Sequence, residues 1–236
     1  MKVMILGAGK MGLVVAKLLS SDPRYKVLLV DQFSDAPVSV QQHSRIQYKK
    51  SDINDMQRLA TFLQEFKPRA LVSCLPYFLN IQVATLAKDN DVHYFDLTED
   101  VKVTEKIAHI AKGASQAFVP QCGVAPGFVN IVAHDMAKSY SEIDNITMRV
   151  GALPIASSNI LKYALTWSAA GLVNQYANLC PAIQDGQPTM LQPLEGLHSV
   201  SIEGDMYECF NTSGGVGSMV SSYIGKAKNV CYQTIR

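Results

Sequence analysis

The stretch Val3-Met4-Ile5-Leu6-Gly7-Ala8-Gly9-Lys10-Met11-Gly12 decides the fold. Its apolar start predicts a buried strand, and a complete GxGxxG follows at Gly7, Gly9 and Gly12. Beyond it, Met11, Val14, Val15, Leu18 and Leu19 recur at helical spacing and predict an amphipathic helix ended by Pro23. A strand, a glycine loop and a helix in this order form a dinucleotide fingerprint. Gly7 permits the tight turn, Gly9 lets the backbone approach a pyrophosphate, and Gly12 lets the helix pack closely on the strand. Lys10 and Met11 lie in the same loop, at a helix N-terminus whose N–H groups meet phosphate charge. Val27 to Val30 predict the second strand, and Asp31 at its end stands about 20 residues past the last glycine, where a ribose-binding carboxylate belongs. A carboxylate accepts hydrogen bonds from the 2′- and 3′-hydroxyls and repels a 2′-phosphate. Gln32, Phe33 and Ser34 add no arginine, so NAD is expected in preference to NADP.

Working outward, residues 32–44 are expected as a polar loop and 45–48 as a short third strand. A helix carries Met56, Leu59, Ala60, Leu63 and Phe66 on one side, with Asp52 or Asn54 as its cap. Residues 70–73, 92–95 and 117–119 predict further strands, separated by helices over 78–89 and around Val103, Ile107 and Ile110, the latter ending at Gly113. Continuous apolar strands alternating with helices indicate a doubly wound parallel sheet, an α/β Rossmann domain over residues 1–120. Two more strand ends reach the same crevice. Asp52 and Ile53 are expected beside the adenine, as acceptor and apolar wall. Cys74, Leu75 and Pro76 are expected at the switch point that the cofactor crosses.

After residue 120 the pattern changes. Pro126-Gly127 opens a helix with Phe128, Val129, Val132, Ala133 and Met136, and strand-like runs follow at 146–150, 179–183, 200–202, 206–210 and 230–235. Asp185-Gly186 is a two-residue hairpin signal. These predict a second, α+β domain over residues 121–236 with a mostly antiparallel sheet.

The 236 residues carry 21 basic and 20 acidic side chains, a net charge of +1, with 48% hydrophobic and 17% charged residues. That balance offers no basic surface for nucleic acid, and no apolar run is long enough to predict a membrane span. The five cysteines (Cys74, Cys122, Cys180, Cys209, Cys231) are odd in number and never CxxC, which excludes a disulfide framework and predicts a cytoplasmic protein. No His/Cys cluster has metal-ligand spacing, so no metal is expected.

Taken together, the chain resembles the saccharopine dehydrogenase family, on the lysine 6-dehydrogenase-like side. The likeness rests on GAGKMG at 7–12, VSCLPY at 72–77, HYFDLTED at 93–100 and, most specifically, CGVAPGFVN at 122–130. It continues through VGALP at 150–154, TWSAAGLVNQY at 166–176, IQDG at 183–186 and GKAKNVCYQTIR at 225–236. The resemblance implies an NAD(P)-dependent oxidoreductase acting on the C–N bond of an amino acid. It also implies a homodimer formed through the sheet of the second domain. By resemblance the CGVAPG loop, with Cys122 and Gly123, lies beside the nicotinamide and the bound amino acid, Trp167 lies near the substrate cleft, and Arg236 helps bind a substrate carboxylate. In the family the TIR segment is usually followed by a Tyr-Pro-Gly-His run and a stretch that returns to the Rossmann domain. The alternative expectation is therefore a shortened NAD-binding and dimerisation module without turnover.

Hydride loss from a carbon bearing nitrogen needs a neutral amine, hence a base. Asp96, His93 and Glu99 are candidates at or just after a strand end. Asp96 is the best placed, with capping of the next helix as its other role. Cys122 stands with Asp96 among the catalytic candidates as a lining residue; it has no recognisable nucleophile's partner. Trp167 is open to core packing as well as substrate contact, with Ser168 at a helix start. Epimerase chemistry would call for YxxxK, and the segment from Tyr163 to Trp167 places no lysine four residues on.

Overall fold

Residues Lys2–Leu6 form β1, central in a parallel six-stranded sheet whose order is β3-β2-β1-β4-β5-β6. The computed structural model describes residues 1–33, 35–41, 43–154, 165 and 167–236; Ser34, Tyr163 and Thr166 lie outside the described residues. The other strands of this sheet are β2 (Lys26–Asp31), β3 (Ile46–Lys50), β4 (Ala70–Ser73), β5 (His93–Asp96) and β6 (Phe118–Val119). The strand alternation sorts side chains to two faces. Met4, Leu6, Leu28, Val30, Leu71 and Tyr94 pack with α3 (Met56–Phe66), α4 (Asn80–Asp89) and α5 (Val101–Ile110). Val3, Ile5, Val27 and Leu29 pack on the other side with α1 (Lys10–Ser21) and α2 (Val38–Gln41). Both faces are covered, as continuous apolar strands require. β1 lies between β2 and β4, so the chain reverses its winding at β1, and the ends of β1 and β4 flank the switch point.

Three local expectations are corrected. The face of α1 turned to the sheet is the small-residue row Gly12, Ala16 and Ser20, flanked by Leu13, Val15 and Leu19. Val15 and Leu19 of the expected stripe thus pack inward, whereas Met11, Val14 and Leu18 are 45%, 48% and 68% exposed. Small side chains four apart make a flat surface that lets the helix approach the strands, and this outweighs the apolar stripe. The cap of α3 is Asp55, whose carboxylate accepts the Arg58 N–H at 3.0 Å, rather than Asp52 or Asn54. Asp52 instead closes its own turn, accepting the backbone N–H of Asn54 at 2.9 Å. The polar loop after β2 contains the short α2.

By internal contacts Met1–Thr98 and Lys102–Pro120 form one unit; Glu99–Val101 and Gln121–Arg236 form a second. The second unit has a six-stranded sheet with the path β10-β11-β12-β8-β9 and β7 on β12. Its strands are β7 (Ile143–Val150), β8 (Cys180–Gln184), β9 (Gln187–Leu191), β10 (His198–Ile202), β11 (Asp205–Asn211) and β12 (Ala227–Ile235). Among the described residues of this unit only β7 and β12 pair in parallel; the remaining ladders are antiparallel. Asp185 and Gly186, both at positive φ (49° and 78°), make the two-residue turn between β8 and β9. One face of β7 and β12 (Ile146, Met148, Val230, Tyr232) packs with Val129, Ala133 and Ala137 of α6 (Phe128–Ala137) and with Met219 and Tyr223 of α8 (Met219–Tyr223). The opposite face carries cross-strand polar pairs: Asn229 to Asn145 at 3.0 Å and Arg149 to Gln233 at 3.0 Å. Helix α7 (Ala169–Ala177) begins at Ser168, whose hydroxyl accepts the Gly171 N–H at 3.1 Å. Among the described residues no helix is long and apolar enough to cross a membrane, and no group of His, Cys, Asp and Glu side chains is arranged to hold a metal ion.

Candidate cofactor and substrate site

In the first unit the loop after β1 is shaped by two glycines that the protein itself demands. Gly7 has φ +98° and donates its N–H to the Val30 carbonyl at 2.9 Å; a Cβ there would stand 2.9 Å from the Cys74 carbonyl oxygen. A Cβ on Gly12 would stand 1.8 Å from the Gly7 oxygen. Gly9 is different. Its φ of −69° suits any residue, and a Cβ there would meet no protein atom within 4 Å. Neither conformation nor packing calls for glycine at this position, and without a side chain the backbone is left open to close approach. Gly9 is also the N-cap of α1 without a side-chain cap bond, and the first turn holds no acidic residue. The exposed N-terminus of α1, with Lys10 and Met11, is thus open to an anion. These features fit the pyrophosphate of a dinucleotide.

Asp31 closes the other side. Its carboxylate accepts the Ala8 N–H at 2.6 Å and the Phe33 N–H at 3.3 Å, so it is tied both to the glycine loop and to the turn after β2. Ser51 donates its N–H to the Asp31 carbonyl at 2.9 Å, bringing the Asp52-Ile53 turn alongside. Ile53 packs on the apolar core under that turn. Cys74 donates its N–H to the Leu6 carbonyl at 2.8 Å, so the ends of β1 and β4 meet where the switch point was expected. Burial pushes the Cys74 thiol up to about 12, which makes it an inert wall rather than a nucleophile. Leu75 packs on the core, and Pro76 caps the 3₁₀ turn Tyr77–Leu79.

At the end of β5, Asp96 is fully buried and accepts the Tyr94 hydroxyl at 2.6 Å and the Thr98 N–H at 2.8 Å. His93 Nδ1 accepts the Ala117 N–H at 2.9 Å, which leaves the ring proton of the neutral form on Nε2.

In the second unit the CGVAPG loop folds on itself. Gly123 N–H meets the Pro126 carbonyl at 2.9 Å, and Phe128 N–H returns to the Gly123 carbonyl at 2.9 Å. Gly127, at φ +136°, has room for no side chain, since a Cβ would stand 2.1 Å from the Gly123 oxygen. Cys122 is exposed. Trp167 lies over Gly171, where a Cβ would come within 2.2 Å of the indole, and Glu99 closes the same spot at 2.6 Å. Asn174 of α7 donates to the Asp100 carboxylate at 3.0 Å, so the tail of the HYFDLTED motif belongs with the second unit. Arg236 pairs through Nε with Glu208 at 3.0 Å and lies over the Phe210 ring at 5.1 Å.

Sequence reasoning missed two features. Asn130 accepts the Gly127 N–H at 2.6 Å and donates to the carbonyls of Val216 at 2.9 Å and Gly215 at 3.2 Å. Those carbonyls belong to the segment 211–218, whose Asn211, Thr212 and Ser213 are buried polar residues. The only sequence signal for it is the cluster Gly214, Gly215 and Gly217; at Gly214 and Gly215 a Cβ would collide with Glu99 and Tyr232.

The glycine loop, the anion-ready helix and Asp31 on a parallel sheet of this order define a dinucleotide-binding Rossmann domain. Residues 3–119 match the family model described as the saccharopine dehydrogenase NADP binding domain, and residues 123–236 match that of the saccharopine dehydrogenase C-terminal domain. The chain belongs to the saccharopine dehydrogenase family. All of it superimposes on 55% of a saccharopine dehydrogenase (L-Glu forming) chain from Saccharomyces cerevisiae, with a TM-score of 0.78 at 18% identity. It also superimposes in full on 68% of a myo-inositol dehydrogenase from Corynebacterium glutamicum, with a TM-score of 0.51 at 14% identity. At these identities the likeness carries the fold, and the chain spans about half the length of the yeast protein.

Proposed function

We propose that this chain forms the nicotinamide-binding and substrate-binding core of an oxidoreductase that acts on the C–N bond of an amino acid, of the saccharopine dehydrogenase or lysine 6-dehydrogenase type. The observation that carries the cofactor half is the Asp31 carboxylate held on the Ala8 N–H beside a glycine loop with open space at Gly9. That carboxylate favours a ribose diol over a 2′-phosphate, so the preferred cofactor is NAD. When bound, the nicotinamide supplies a hydride acceptor or donor. The residues of the chain do the rest. Gly7 to Gly12 and the start of α1 take the pyrophosphate, Asp31 the ribose, and Asp52 and Ile53 the adenine. Cys74, Leu75 and Pro76 form the wall at the switch point. Asp96 is the base candidate at the end of β5. It is buried and already accepts from the Tyr94 hydroxyl and the Thr98 N–H, so to take a proton from the substrate amine it must exchange one of these donors for the amine. Cys122, Gly123, Trp167 and Arg236 belong to the substrate side, the Arg236 fork facing a carboxylate. The protein acts as a homodimer. A second reading, a module that binds NAD and dimerises without turnover, is favoured by the Glu208 carboxylate that already engages Arg236.

Calorimetry with NAD and NADP, together with absorbance of the reduced cofactor over a panel of amino acids beginning with lysine and saccharopine, tests both. Tighter NAD binding with turnover supports the enzyme; NAD binding without turnover supports the module. Absence of binding to either cofactor overturns both.

A further inference from the structure

We propose that Tyr48 is the positioning residue that sets the cofactor preference, by holding the turn on which Asp31 depends. Tyr48 sits on β3 directly across from Leu29 of β2. Its ring packs partly buried against the core beneath α1, and its hydroxyl donates to the Phe33 carbonyl at 2.9 Å, fifteen residues away. Phe33 in turn offers its N–H to Asp31 Oδ1. The turn after β2 is therefore held at both faces of one residue: its carbonyl by the phenol, its N–H by the carboxylate. Asp31 Oδ2 is held from the opposite side by the Ala8 N–H. The phenol and the glycine loop together leave the carboxylate one orientation.

The residues that follow the second strand are where a dinucleotide's 2′ position is read. A turn free to swing would let Asp31 withdraw and a 2′-phosphate enter; a pinned turn keeps the negative charge in place. Burial, and then the charges of Asp31 and Asp35, push the Tyr48 phenol above its ordinary value, so it remains a donor at neutral pH. Phe33 itself is 67% exposed, so it is tied to the sheet by hydrogen bonds, from Tyr48 of β3 at 2.9 Å and to Asp31 of β2 at 3.3 Å.

The inference rests on the nicotinamide reading above and can fail independently of it. Dissociation constants for NAD and NADP are measured by calorimetry on the whole chain for wild type, Tyr48→Phe, Asp31→Ala and the double variant. Tyr48→Phe keeps the ring, and circular dichroism with a thermal melt confirms its fold. Loss of one neutral hydrogen bond should narrow the NADP-to-NAD ratio about five-fold. In the Asp31→Ala background the same change should leave the ratio unmoved, because the tyrosine acts through the carboxylate. An unchanged ratio in Tyr48→Phe, or equal narrowing in both backgrounds, overturns the role of Tyr48 while leaving the cofactor assignment intact. A wild type with no preference overturns the preference and the role together; a wild type that binds neither cofactor overturns the functional reading itself. Should Tyr48→Phe fail to fold, Tyr48→Leu, which also carries no side-chain donor, takes its place in the same cycle, with the same expectations.

Discussion

The side-chain oxygen of Asn130 accepts the backbone N–H of Gly127 at 2.6 Å, while its nitrogen donates to two carbonyls at Gly215 and Val216. One amide thus joins the CGVAPG loop to a segment more than eighty residues later. Asn130→Ala should lower unfolding free energy by about 2–3 kcal/mol, because it removes these bonds and leaves partly buried groups unsatisfied. Asn130→Asp keeps the Gly127 bond but sets a carboxylate against two carbonyls. Those oxygens raise its folded pKa above the unfolded value of about 4, so its contribution is present below that pH and lost as pH rises through the folded pKa. Urea unfolding of variant and wild type at matched pH should show a gap that widens from pH 4 to pH 8. A constant gap would sink this account.

Gly9 and Gly12 should separate binding from stability. Gly12→Ala forces a Cβ to within 1.8 Å of the Gly7 oxygen, a backbone clash expected to cost at least about 3 kcal/mol. Gly9→Ala places a methyl where no protein atom lies within 4 Å, so unfolding should change by no more than about 1 kcal/mol. NAD affinity should nevertheless fall by about tenfold or more, since the methyl occupies the approach to the pyrophosphate. Unchanged affinity in a folded Gly9→Ala would refute the phosphate-loop assignment.

Thiol reactivity should rank with exposure. All five cysteines are thiols, not disulfides; Cys122 is exposed and Cys231 half-buried. Burial pushes Cys74 and Cys180 up to about 12 and raises Cys209 as well. At pH 8 an aromatic disulfide reagent should titrate one thiol quickly and reach the buried ones only in denaturant. Cys122→Ser should abolish the fast phase; its survival would place the reactive thiol elsewhere.

Acid should titrate the end of α1. The Arg24 side chain and then the Arg24 N–H, both bonded to Asp22, lower this carboxyl to about 2. A depressed folded pKa contributes stability that is in place above the unfolded value and fades as pH falls through about 2. The pair is on the surface, so the effect on global stability is small. Carbon-detected NMR titration should find Asp22 near 2, moving toward about 4 in Arg24→Ala; a wild-type value near 4 would show that the pair does not form.

Much of the architecture was legible because it is written in short windows. GxGxxG between an apolar run and a helix is a local conformational demand, and Gly7 at φ +98° meets it. Asp185-Gly186 was readable for the same reason, since two consecutive positive-φ residues suit this pair. Ser168 was recognisable as a helix start because a cap needs only its own first turn. The buried face of α1 was only partly legible: Val15 and Leu19 of the apolar stripe pack inward, while Met11, Val14 and Leu18 do not. Periodicity reports where apolar groups lie, but the sheet selected Gly12, Ala16 and Ser20 for close approach. Asp55 rather than Asp52 caps α3, because three neighbouring polar residues offer equivalent caps until the turn is built.

By itself, then, the amino-acid order determined two domains' worth of elements, the parallel class of the first sheet, the hairpin of the second, and the family. Tertiary structure alone decided how the site residues are held. Asp31 reaches the Ala8 N–H, Tyr48 reaches the Phe33 carbonyl, Asn130 bridges to Gly215 and Val216, and Glu208 engages Arg236. Backbone preference and hydrophobic period act over a few residues, and so leave a trace in sequence. A hydrogen bond between groups fifteen to eighty-six positions apart depends on strand order, register and the angle of every intervening turn, and only the assembled fold supplies those.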